Sequence, residues 1–80
     1  MRIREARMRD AEEILSLMGK SEVSELDKIS ERIRQDAGSI RIATDFSAHI
    51  LGCALSKEEI YVNSAFPEQG VAEELAKQFS

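Results

Sequence analysis

Apolar residues recur along this chain at two different periods, and the changes of period mark its elements. Residues 2–7 alternate charged with small or apolar side chains, Ile3 being the clearest inward position, which predicts a short strand. Asp10 and Glu13 stand at the spacing of a capping box, one carboxylate accepting from free backbone N–H groups and the other reaching back, so a helix is predicted from Ala11. Ala11, Ile14, Leu15, Leu17 and Met18 form its apolar face, and Gly19 weakens its end. A second helix is predicted from Ser24, with Glu25 and Asp27 in the first turn to complement the helix dipole and Leu26, Ile29 and Ile33 on one stripe. Ala37-Gly38-Ser39 supplies its stop, because glycine takes the left-handed conformation at little steric cost.

From Ile40 the period becomes two. Ile40, Ile42 and Thr44 alternate with Arg41, Ala43 and Asp45, the pattern of a half-buried strand, and Asp45-Phe46-Ser47-Ala48 makes a turn. Ile50 to Leu55 is a continuous apolar run, short enough for a central strand buried on both faces. Ser56-Lys57-Glu58 connects it to a strand over Glu59-Ile60-Tyr61-Val62, and Val71, Leu75 and Phe79, four apart, predict a third helix from about Gln69 to Phe79. The order is therefore β-α-α-β-β-β-α. Tight connections between the later strands imply an antiparallel meander with helices covering its faces, an α+β fold of about four strands and three helices in one domain over residues 1–80.

Composition narrows the function classes. Eighty residues, 42% of them apolar, suffice for one modest core and exclude a second domain. A net charge of −4 argues against a nucleic-acid coat, and the apolar runs are too short for a membrane span. The single cysteine, Cys53, permits neither an internal disulfide nor a zinc cluster, so no metal is expected and the reducing, cytoplasmic compartment is. Domains this small bury only about 60% of their unfolded surface and commonly need help, for which self-association is the natural candidate. The charge is uneven: residues 1–9 hold four arginines against one glutamate, and residues 58–80 hold five glutamates against one lysine. The arginine-rich start lacks the hydrophobic block of a secretory signal and reads as a solvated edge strand.

The segment Tyr61 to Ala72 is the informative one for chemistry. It sets a strand, a turn and Gly70 ahead of a helix, the arrangement in which free N–H groups can hold a phosphate. His49, beside the predicted turn and without a visible acidic or cysteine partner, reads as a surface residue. Cys53 reads as an inert core thiol, and Tyr61 as strand packing.

Taken together, these elements resemble the N-terminal part of the GNAT superfamily of acetyl-CoA-dependent N-acetyltransferases. Ile3-Arg4-Glu5-Ala6 through Ile14 is similar to the family's first strand and helix, and Ile40-Arg41-Ile42-Ala43 and Ile50-Leu51-Gly52-Cys53-Ala54-Leu55 to its second and third strands. Ile60-Tyr61-Val62, Phe66 and Gly70-Val71-Ala72 resemble the fourth strand and the acetyl-CoA signature, Arg/Gln-x-x-Gly-x-Gly/Ala. The resemblance implies that the Tyr61 and Val62 backbone pairs with pantetheine amides, that Gln69, Gly70, Val71 and Ala72 hold the pyrophosphate, and that Leu75 anchors the helix. Pro67 stands where the family has Arg or Gln and Glu68 where small residues are usual, which implies a weakened cradle. Glu59, with Glu58 beside it, is the candidate to take the amine proton. The family's fifth strand and following helix have no counterpart here, so weak or absent turnover by the isolated monomer is expected. That leaves a second expectation: a non-catalytic module that homodimerises through its exposed sheet edge or binds a protein partner there.

Overall fold

Four short strands arise from the alternating stretches and the continuous apolar run, and in the computed structural model, which describes residues 1–66 and 70–79, they form one antiparallel sheet in the order β1-β2-β3-β4. The strands are β1 (Arg2–Glu5), β2 (Arg41–Thr44), β3 (Ile50–Ala54) and β4 (Ile60–Val62). Helices α1 (Ala11–Leu17) and α2 (Val23–Gln35) lie between β1 and β2 in sequence, and α3 (Val71–Lys77) follows β4. The fold is α+β, with the element order the periodicity predicts.

The sheet separates two apolar clusters. On one side Ala11 and Ile14 of α1 and Ile29 and Ile33 of α2 pack on Ala6, Ile40, Ile42, Cys53 and Leu55. On the other, Val71 and Leu75 of α3 pack on Ala43, Leu51 and Ala54, with Ile3, Ile60 and Phe79 at the margin. Ile14, Ile40, Ile42 and Leu75 are fully buried, each a gain of about 1.5–3 kcal/mol over leaving the side chain in water. Because α3 covers the second face, β2 is not half-buried as its alternation predicts: Ile42, Ala43 and Thr44 are all inside.

β2 and β3 lose register between Ala43, opposite Gly52, and Thr44, opposite Ile50, so Leu51 is an extra residue on β3. Gly52 sits where three elements meet. A Cβ there would stand 2.8 Å from the Tyr61 carbonyl oxygen, 3.1 Å from Val71 Cγ1 and 3.4 Å from Leu75 Cδ1. Only a residue without a side chain lets β4 and α3 close on β3 at that point.

Several local expectations differ from the structure. The first strand ends at Glu5 rather than at residue 7, since Met8–Asp10 winds into a 3₁₀ turn that enters α1. Asp10 precedes α1 but makes no cap bond to it; its carboxylate turns back to the Arg7 amide and the Arg4 guanidinium. The second helix starts at Val23, one residue early, and ends at Gln35 without a left-handed glycine. Asp36, at φ −156° and ψ 83°, leaves the helical conformation, and Ala37–Ser39 forms a 3₁₀ turn. Gly19, at φ +74°, takes the left-handed role instead, after α1. The last strand begins at Ile60 rather than Glu59, and the third helix spans Val71–Lys77, ending before Phe79, while its expected start at Gln69 lies outside the described residues. No helix among the described residues is long and apolar enough to cross a membrane.

Candidate functional site

The corner where β4 turns into α3 is built by Asn63. Its amide donates to the Leu51 carbonyl at 2.8 Å and its side-chain NH₂ to the Ile50 carbonyl at 2.9 Å, tying the end of β4 to the start of β3. Its Oδ1 accepts from the Ala65 amide at 3.0 Å and its carbonyl from the Phe66 amide at 3.1 Å, a local turn of the kind asparagine favours. Gly70 then leads α3 at φ +84°, with no described residue within 4 Å of where a Cβ would be, and its carbonyl accepts from the Glu74 amide at 2.9 Å. Val71 is buried beneath the corner and Ala72 is half-buried. Gln69, expected at this turn, lies outside the described residues, as do Pro67 and Glu68. Glu73 and Glu74 occupy the first turn of α3, so the corner carries negative charge.

The outer edge of β4 faces no other described strand. Leu55 N–H donates to the Glu59 carbonyl at 2.9 Å and Asn63 N–H to the Leu51 carbonyl at 2.8 Å, which sets the phase of the ladder. Residues 59, 61 and 63 therefore turn their backbone groups toward β3, while Ile60 and Val62 present theirs to the open edge. Of the two residues expected to offer backbone groups to a ligand, Val62 has them free and Tyr61 has them in the sheet; the Tyr61 ring packs against the cluster under α1 and α2. Val62 and Phe66 leave apolar surface exposed beside this edge, at 46% and 36%.

Glu59 is exposed at the far end of β4, about 13 Å of strand rise from Asn63. Its amide donates to the Ser56 hydroxyl at 3.1 Å, so the residue starts the strand as part of a turn. Nearer the corner, His49 has the acidic partner that its local sequence does not suggest. Its Nδ1 lies 3.0 Å from Asp45 Oδ2, and its ring stacks on Phe66 with centroids 4.5 Å apart and planes at 20°. A carboxylate only accepts, so Nδ1 carries the proton in the neutral ring and Nε2 is left as the basic nitrogen. The signal was the four-residue spacing of Asp45 and His49 across a turn, which Ala48 closes at φ +67°. Asp45 also accepts from the Ser47 and His49 amides, both at 2.9 Å. Desolvation pushes its carboxyl up, but the His49 and Ser47 bonds outweigh this and hold it below its ordinary value.

A second feature lies on the α1 side of the sheet. A cleft of about 610 Å³ opens between β1, the start of α1 and the β2–β3 turn, and Arg2, Arg4, Arg7 and Arg9 all line it. Arg4 clasps Asp10 with two bonds, Nη1 to Oδ2 at 2.8 Å and Nη2 to Oδ1 at 3.1 Å, and the Arg7 amide reaches Oδ2 at 2.7 Å. Burial raises the Asp10 carboxyl, yet the bonds from Arg4 and the Arg7 amide, with the charges of both arginines, bring it below the ordinary aspartate value. Cys53, between the helices and the sheet, is fully buried, and desolvation pushes its thiol up to about 12, so it stays protonated and unreactive. Among the described residues no group of His, Cys, Asp and Glu side chains could hold a metal ion.

Compared with models of protein families, with curated proteins and with solved structures, the chain matches none. The fold and the corner define a small α+β domain whose edge strand runs into a glycine-led helix.

Proposed function

We propose that the chain is the cofactor-holding part of a GNAT-like N-acetyltransferase, taking acetyl-CoA along the open edge of β4. One observation carries this reading: the outward-facing backbone of Ile60 and Val62 lies on the strand before Gly70, where no described residue comes within 4 Å of a Cβ. An extended pantetheine arm would hydrogen-bond to that edge as an added strand does, and the pyrophosphate would lie against the amides of Gly70, Val71 and Ala72. In the transfer, an amine nitrogen attacks the thioester carbonyl, its proton passes to a base, and the thiol of coenzyme A leaves. Glu59 is one candidate base. His49, oriented by Asp45 and stacked on Phe66, is better placed for a reaction near the corner. The reduced core thiol of Cys53 fits a cytoplasmic setting.

Calorimetric titration with acetyl-CoA tests the reading. Saturable binding in the micromolar range is expected, weakened at least tenfold by Gly70→Glu and much less by Gly70→Ala, which shares the backbone strain of a positive φ without adding charge. No heat at millimolar ligand overturns it.

The same edge favours a second reading, a homodimer. Two copies of β4 paired antiparallel about Tyr61 would exchange hydrogen bonds between Ile60 of one and Val62 of the other and extend one sheet across both. Glu58 and Glu59 would then face Ser64 and Asn63 of the second copy, which keeps like charges apart. Light scattering at high concentration should give twice the 9.0 kDa of the chain; a monodisperse particle of 9.0 kDa excludes the dimer.

A further inference from the structure

We infer that the arginine-lined cleft between β1, the start of α1 and the β2–β3 turn is a binding site for a phosphorylated small molecule bearing a flat ring. The inference is independent of the acetyl-CoA reading, since the cleft lies on the opposite face of the sheet from α3.

Charge accounting within the cleft carries the argument. Arg2, Arg4, Arg7, Arg9, Asp10, Glu13 and Asp45 all line it, and two of the three acids are already committed. Asp10 is held by Arg4 and the Arg7 amide, and Asp45 by His49 and two amides of its own turn. The Arg2 and Arg9 side chains make no ion pair or hydrogen bond with another described residue, and Arg7 acts on Asp10 through its charge. The cleft thus holds four guanidiniums against three carboxylates, a net positive place in a chain whose overall charge is −4, and Arg2 and Arg9 are free to turn to a ligand. Concentrating like charge at one concave place destabilises the fold unless something anionic offsets it, and guanidiniums match phosphate oxygens by paired N–H donors.

The rim supplies the rest of the ligand. Phe46 stands at the tip of the β2–β3 turn, 96% exposed, and lines the same cleft. Its turn is stiffened by the two Asp45 bonds to backbone amides, so the ring is presented from a fixed base. An exposed aromatic beside arginines can stack a planar group attached to the phosphate. The volume, about 610 Å³, falls among those of small-molecule sites.

Titration of the whole chain with inorganic pyrophosphate and with adenosine 5′-diphosphate, read by calorimetry and by amide chemical shifts, tests this. In the Gly70→Glu variant, which blocks the corner proposed for a pyrophosphate, both should saturate, the nucleotide more tightly, with shifts confined to residues 2–13 and 44–50. Arg7→Gln and Arg9→Gln, each removing one exposed guanidinium, should each weaken pyrophosphate about tenfold. Phe46→Ala should leave pyrophosphate unchanged and remove the advantage of the nucleotide. In the parent chain the shifts at residues 2–13 and 44–50 should be the same as in Gly70→Glu, which separates this site from the corner at α3. Absence of saturation in Gly70→Glu, absence of shifts at residues 2–13, or affinity unchanged by adding Arg7→Gln and Arg9→Gln to a folded Gly70→Glu chain would overturn the inference.

Discussion

Replacing Gly52 with valine is expected to leave the protein largely unfolded, and Gly52→Ala to lower its stability by about 2–3 kcal/mol. A small domain has on the order of 5 kcal/mol to lose, so the larger side chain takes most of it. The reason is local. The first carbon of any side chain would sit 2.8 Å from the Tyr61 carbonyl oxygen, an atom held in the β3–β4 ladder, and 3.1 Å from Val71 Cγ1. Neither neighbour is the free end of a flexible chain, so β4 or α3 must move away from β3. The urea midpoint of the alanine variant measures this; a midpoint equal to that of the parent would show that the three elements do not close on Gly52 as described.

Leu75→Ala should cost about 3–4 kcal/mol. Leu75 is fully buried and, with Val71, supplies the whole buried face of α3. A helix of seven residues has too few internal hydrogen bonds to persist undocked, so packing and helicity fail together. Hydrogen exchange should show the α3 amides losing protection before those of β2 and β3. Uniform loss across the sheet would mean that α3 is not a separable layer. Because Gly70 leads this helix, the variant should also lose whatever affinity the corner has for acetyl-CoA.

Elements with unbroken periodicity were the ones legible in the sequence. Ile29 and Ile33, or Ile50 to Leu55, report their environment directly, because a buried stripe or strand admits few polar residues. What stayed hidden depends on contacts across the chain. Nothing near β2 reveals that α3 covers its second face, so Ala43 reads as outward when it is buried. Asp10 has the spacing of a cap, and the pull that reorients it comes from Arg4, in the preceding strand. Gly38 looked like the helix stop because glycine usually takes that role, yet Asp36 can break the helix without a positive φ. At the candidate corner, Gly70 is visible in the sequence as a glycine ahead of a helix. The commitment of the Tyr61 backbone to β3 follows from ladder phase, which composition does not encode, and the four-residue spacing of Asp45 and His49 makes a pair only once the turn closes between them.

The pairing of β1 with β2 has a kinetic meaning. Arg2 stands opposite Thr44, so this pairing closes the longest loop in the sheet, whereas β2, β3 and β4 follow one another through short turns. Loop closure grows more costly with length, and the β1–β2 contact is therefore the latest of the strand pairings to be favourable as the chain folds. Arg2 and Arg4 belong to that late strand, while Asp45 and Phe46 belong to the early hairpin. The arginine cleft is thus assembled from the first and last parts of the sheet to form. An anion held there selects the completed fold over every partly formed one, and by mass action would act as a clasp on the chain's most distant pairing.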